Sequence, residues 1–400
     1  MDSFIYALVL IPAMREVLPA SGIQPTAGNL GYYGSILFVT FLVGWGCAFL
    51  WGPVADRFGR VRSLTLAILC YSLFTFLGSV AQNIWQLGIF RLLAGFGVGG
   101  EFVGAAAFVA EELPDELRVL GAGFLNSGYY VGAFIAGGLN YLVGAHYGWR
   151  AMFALGGAPA LFVAFIRWGV REPERWKKRV ADIGGWTARD SLFALFSAEY
   201  RKRTIMNCVF LLISMIGLWA GSVYAPGAVT QVATREGYGA QDAARIASWA
   251  TMLLSGGTIL GCLTMPFLTN RLGRRGALAC FYGVMAAAIA FSFGYAFYLP
   301  HDALRVFIPG LFLVGLGGAS FSVYIAWLPE QYRTECRGSA VAFAMSVGRF
   351  AAAGATFLVG AGIARYGSIG MPVAATSLAF ALGLLVVPLG IETRGKPLPV

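Results

Sequence analysis

Apolar runs of about 20 residues, repeated along nearly the whole chain, constrain this sequence more than any other feature. They fall near 2–18, 31–54, 63–82, 85–111, 119–145, 149–170, 204–232, 245–269, 276–299, 304–328, 338–363 and 369–390. Each run is long enough to cross a hydrocarbon layer as a helix, and none alternates with the period of two that a barrel strand needs. With 58% hydrophobic and 12% charged residues in 400, the solvent for most of the chain is lipid. The expected fold is therefore an all-α membrane protein of twelve transmembrane helices, spans one to twelve.

Basic residues orient the spans. One set of loops holds Arg57, Arg60, Arg62, Arg118, the stretch 167–203, Arg271, Arg274, Arg275, Arg333, Arg337, Arg394 and Lys396. It carries 21 of the 29 Lys and Arg, against six in the opposite set, so it belongs in the cytoplasm with both termini. The net charge of +10 is then a topology signal and not a nucleic-acid footprint, because the cations lie in separate membrane-edge loops. The polar stretch 171–203 divides six spans from six and can hold short amphipathic helices. The expected units are a first half, 1–170, a linker, 171–203, and a second half, 204–400. The six cysteines show no CxxC pairing and the two histidines sit at run ends, so no metal, cofactor or disulfide framework is expected. A first span ending near Leu18 is short, so a few residues upstream of this sequence are expected.

The second half echoes the first. GPVADRFGRVRSL at 52–64 has its counterpart in MPFLTNRLGRRGAL at 265–278, and GFGVGGEFVGAAAFVAEELP in GLGGASFSVYIAWLPE. Gly59 matches Gly273, Gly99 matches Gly317, and Gly121 matches Gly338, at nearly constant offset. Two related six-helix halves around a cavity are a secondary-transporter architecture. The loop D-R-F-G-R-x-R resembles the signature of the major facilitator superfamily, and N-R-L-G-R-R its weaker second copy, with Asn270 in place of Asp56. PEQYRTECRG at 329–338 resembles that superfamily's element after span ten, although Arg333 stands where many relatives have proline, and EELPDELR at 111–118 resembles its first-half partner. RLLAGFGVGGE at 91–101 and DSFIYAL at 2–8 are similar to motifs of the metabolite:proton and sialate/lactate:proton symporter branches.

RLLAGFGVGGE also satisfies a dinucleotide-binding spacing, but no strand precedes it and its glycines lie inside an apolar run. Close helix packing through Gly95 and Gly99 is the better account. Its two charges need another. Arg91 and Glu101 lie about 15 Å apart along a helix and about 80° apart around it, too far to pair. Each must meet water or another helix, since a central charge costs about 2.5–3.5 kcal/mol on insertion scales. Their second-half counterparts are Pro309 and Ala319, so a packing rule shared by both halves does not explain them. Asp2 and Arg349 complete the intramembrane charges, and a static network among the four is the structural alternative.

The functional reading gives them roles. Burial favours the neutral form of a carboxyl group, which lets it load and release protons near neutrality. Glu101 is the first candidate for proton coupling and Asp2 the second. Arginine stays charged and presents a planar fork to a carboxylate, which makes Arg349, then Arg91, the candidate anion ligand. Asn126, Tyr130, Trp219, Tyr224, Tyr324 and Trp327 are further substrate-binding candidates, although residues of these types at such positions more often serve packing. Pro226 can soften span seven. The resemblance places Asp56, Arg57, Arg60, Arg62, Glu111, Arg118, Arg271, Arg274, Glu330 and Arg337 on a cytoplasmic seam that gates the halves.

The reading is a plasma-membrane (bacterial inner-membrane) symporter, monomeric, that moves a small organic anion with protons and has no enzymatic activity. Sugar or polyol uptake and drug efflux are the rival transport readings. A non-transporting membrane sensor is the rival from another class.

Overall fold

In the computed structural model, residues 2–182 and 187–399 are described, and they form helices and turns with no strand among them. Span one is Asp2–Ala20. Span two starts as Ala27–Gly46 and continues through a tight turn, Cys47–Leu50, into Trp51–Phe58. Span three is Arg60–Gly78, span four Ile84–Glu112 and span five Arg118–Leu139. Span six is broken into Ala145–Gly156 and Ala160–Gly169, and the linker contributes two short helices, Glu174–Asp182 and Ala188–Ala194. Span seven, Arg201–Val223, bends at Tyr224 into Ala225–Arg235, with Pro226 in the first turn after the bend. Spans eight and nine form one run, Ala240–Gly294, interrupted only at Gly273. Span ten is Ala303–Gly318 followed by Ser320–Trp327, span eleven Thr334–Tyr366, and span twelve Gly370–Ala374 with Ser377–Val386. Eight helices among the described residues are long and apolar enough to cross a membrane, the run of spans eight and nine counting as one. Spans one, six and seven fall outside that set.

The repeated loop has a physical reason in each half. Gly59 and Gly273 end one span and start the next at φ +114° and +76°, a backbone that side chains rarely adopt. At Gly59 the Glu172 carboxylate accepts the N–H groups of Val61 and Arg62 at 3.1 and 3.0 Å. At Gly273 Glu392 does the same for Arg274 and Arg275 at 2.9 and 3.2 Å. Each acid satisfies orphan donors of a helix N-terminus, and a Cβ on either glycine would collide with it. Burial pushes the Glu392 carboxyl upward, but the N–H donors of Arg274, Arg394, Arg275 and Thr393 outweigh it and hold the group below its usual range.

Close packing accounts for the glycines of span four. A Cβ on Gly95 would strike the Phe41 carbonyl, and one on Gly99 would strike Ala48. Gly97 faces the backbone of Tyr71 on the other side, so spans two and three both approach span four to backbone distance. Spans eight and ten repeat the device at Gly257, Gly261 and Gly315. Across the middle of the molecule, span two packs on span eleven and span five on spans eight and ten.

Candidate functional site

Two sites follow from that packing, a buried ionic seam at the repeated loops and a cavity deeper in the bundle. In the seam, Arg60 has no exposed surface. It donates to Glu111 at 3.0 and 2.7 Å, to Asp56 at 3.0 Å, and to the Thr334 carbonyl of span eleven at 2.7 Å. Asp56 in turn accepts the N–H groups of Gly338 and Ser339 at 2.8 Å each and the Ser339 hydroxyl at 2.7 Å. Glu111 also takes Arg337 at 2.6 Å. The second half answers with Glu330, which accepts Arg274 at 3.1 and 2.8 Å and lies 3.6 Å from Arg118. Arg118 also pairs with Asp115. Each glutamate thus binds the loop arginine of its own half and an arginine of the other half. Hydrogen bonds offset the cost of burying these charges, and removing one partner strands the rest. Arg57, Arg62 and Arg271 stand apart from this network, their side chains exposed. Arg57 and Arg271 lie against the rings of Phe58 and Phe267.

The cavity encloses about 390 Å³. Its walls come from spans two to seven, ten and eleven, and among the described wall residues Glu101 is the one acid and Arg349 the one base. Arg349, buried on span eleven, lays its guanidinium over the Trp45 ring with 3.1 Å between Cζ and centroid. Trp219 stands at 6.0 Å from the same Cζ and meets Trp45 edge to face. Tyr129 and Tyr130 continue the aromatic wall. Phe102 of span four meets Phe321 of span ten, with ring centroids 5.3 Å apart. Asn126 of span five donates to the Cys262 thiol of span eight at 3.2 Å, joining the two halves.

The structure therefore brings Glu101, Arg349, Asn126, Tyr130 and Trp219 to one chamber. It sends other candidates elsewhere. Arg91 lies buried between the Tyr6 and Phe41 rings at 4.4 and 4.3 Å, outside the cavity walls. Tyr224 donates to the Thr356 carbonyl. Tyr324 is buried in a hydroxyl cluster with Tyr282 and Ser214, and Trp327 donates to the Ile391 carbonyl while stacking on Phe210. The Asp2 side chain lies outside the described residues. Trp45, Tyr71, Tyr129, Phe102 and Phe321 line the cavity without having been singled out in the sequence. For Trp45 a signal was present in the flanking Gly44 and Gly46, the mark of a helix approached closely from two sides. For Glu172 and Glu392 it lay in REPER and GIETRG, an acid just after the last span of each half.

Residues 1–356 match the family description Major Facilitator Superfamily. The chain belongs to that superfamily. It is a multi-pass membrane transporter and not an enzyme. The chain is 30% identical over 376 residues to a probable 4-methylmuconolactone transporter of Cupriavidus pinatubonensis, covering 92% of this chain and 83% of that protein. It is 28% identical over 333 residues to the cis,cis-muconate transport protein of Acinetobacter baylyi, covering 82% of this chain and 75% of that one. Among solved structures it resembles the proton:xylose symporter XylE with a TM-score of 0.80 at 18% identity, covering 99% of this chain and 94% of that one. The last likeness concerns the facilitator fold of two pseudo-symmetric six-helix halves.

Proposed function

We propose that this facilitator carries a small, flat organic acid across the membrane together with a proton. The observation that supports it is the presence of one arginine and one glutamate on the walls of a largely aromatic and apolar cavity. Arg349 offers a fixed cation to a carboxylate, the rings of Trp45, Trp219, Tyr129 and Phe102 offer faces to a planar unsaturated skeleton, and Glu101 offers a site for the proton. The relatives named for 4-methylmuconolactone and cis,cis-muconate fit this chemistry. In proteoliposomes with an acidic exterior, we expect uptake of cis,cis-muconate, benzoate or nicotinate, and no competition from xylose or glycerol. Competition by the sugars and none by the acids rejects the reading.

The two halves are taken as 1–170 and 204–400, joined by the linker 171–203, with the seam and both termini cytoplasmic and the monomer as the working unit in a bacterial inner membrane. The seam is then the inner gate, closed in this structure. Asp56→Ala leaves two N–H groups and a hydroxyl of span eleven without their acceptor. At about 1–3 kcal/mol per stranded group, the closed inner face is expected to lose roughly tenfold or more in population. Spin-label pairs placed across the seam read this directly, and an unchanged distance distribution argues against the gate.

A further inference from the structure

The cation on the wall of this cavity meets an aromatic face. It is held by a ring. Arg349 is 4% exposed, its Nε–H meets no acceptor among the described residues, and its guanidinium lies over Trp45. Trp45 is itself built into place. Gly44 lets span two approach the Leu92 carbonyl of span four, and Gly46 admits the ring of Phe350, the neighbour of Arg349 on span eleven. The indole between these two glycines is therefore wedged at the point where spans two, four and eleven converge, only 6% exposed. Trp219 closes on its ring edge to face at 6.4 Å.

A guanidinium has two distinct surfaces. Its flat faces attract an aromatic quadrupole, and its in-plane N–H groups form the fork that matches a carboxylate. The two can be used together, because a ring on the face leaves the edge untouched. We propose that Trp45 is the positioning residue of the anion site: its ring carries the Arg349 face and turns the N–H edge toward the substrate's carboxylate. The inference rests on the reading of the cavity as a carboxylate site. It adds the reason why a buried arginine is tolerated on the cavity wall. It also adds a coupling of the site to the approach of the halves, since Trp45 belongs to the first half and Arg349 to the second.

The test varies the ring's charge distribution and leaves its shape nearly unchanged. Mono-, di- and trifluorotryptophan are introduced at position 45 alone, and equilibrium binding of cis,cis-muconate and of benzoate is measured on the purified full chain. Each added fluorine drains the negative face of the ring. Affinity is expected to fall stepwise, by about thirtyfold over the series, with the helical circular dichroism spectrum unchanged. Trp45→Phe is expected to bind more tightly than Trp45→Leu. In an Arg349→Gln background the fluorine series is expected to be flat, because the ring acts through the cation. Affinity independent of fluorination in the native background overturns the role of Trp45. So does an equal dependence in the Arg349→Gln background, which would mean that the ring contacts the substrate itself. If the native protein binds neither acid, or Arg349→Ala binds both as tightly as native, the carboxylate reading falls and the inference with it.

Discussion

Arg349→Ala is expected to weaken carboxylate binding by about a hundredfold or more. Truncating one partner of a buried, hydrogen-bonded charge pair costs about 2–5 kcal/mol, or roughly 30- to several-thousand-fold. More than the lower limit applies here because, among the described residues of the cavity wall, Arg349 is the only cation. No second positive group is at hand to replace it. Arg91 does not compensate, since it is packed between Tyr6 and Phe41 outside the cavity. Arg349→Lys is expected to recover only part of the loss. An ammonium lacks the planar fork and sits less well on an indole face. Equilibrium binding and the half-saturation concentration for counterflow both measure the effect. An unchanged half-saturation concentration in Arg349→Ala would remove this residue from substrate recognition.

The sequence made the charged part of this site legible and the aromatic part opaque, for one reason. A charge inside an apolar run must be compensated, so each one announces a partner or a wet chamber before any coordinates exist. Glu101 and Arg349 found the chamber, and Arg91 found an aromatic box instead. Aromatic residues make no such announcement. A helix surrounded by lipid is apolar on every face, so no polar stripe marks the side that lines a cavity. Tyr324 and Trp327 are therefore candidates in the sequence and Trp45 and Tyr129 are not, although the first two are buried in contacts within the second half and the last two line the cavity. The loops were legible for a different reason. Gly59 and Gly273 hold backbones that need glycine, and the repeat D-R-F-G-R and N-R-L-G-R could be aligned on them. Which of the loop arginines turn inward was not legible. Arg57, Arg60 and Arg62 are alike in type, and only the direction of the helix after Gly59 buries Arg60 against Glu111.

Glu101→Gln is expected to abolish accumulation driven by a pH gradient while exchange of preloaded substrate continues. The charge balance of the cavity gives the reason. Empty, with Arg349 positive and Glu101 ionised, the two ionic wall residues sum to zero. Loading a singly charged acid alone leaves a net negative charge in a low-dielectric chamber, which disfavours closure around it. Loading the acid with a proton on Glu101 restores zero. The loaded and empty cavities then carry the same charge, and both can close and reorient. Glutamine reproduces the protonated acid in shape and charge but never releases the proton. The variant is fixed in the substrate-accepting form, so it can swap one acid for another but cannot return empty with a neutral chamber. For one proton per acid, each pH unit supports about a tenfold gradient, or about 1.4 kcal/mol. In the variant that ratio is expected to collapse to about one, with counterflow retained. The second half carries Ala319 at the matching place, packed against Gly261, so the repeat supplies no substitute acid. Uphill uptake by Glu101→Gln at the native ratio would move the proton site elsewhere, and loss of counterflow together with binding would make Glu101 a substrate ligand instead.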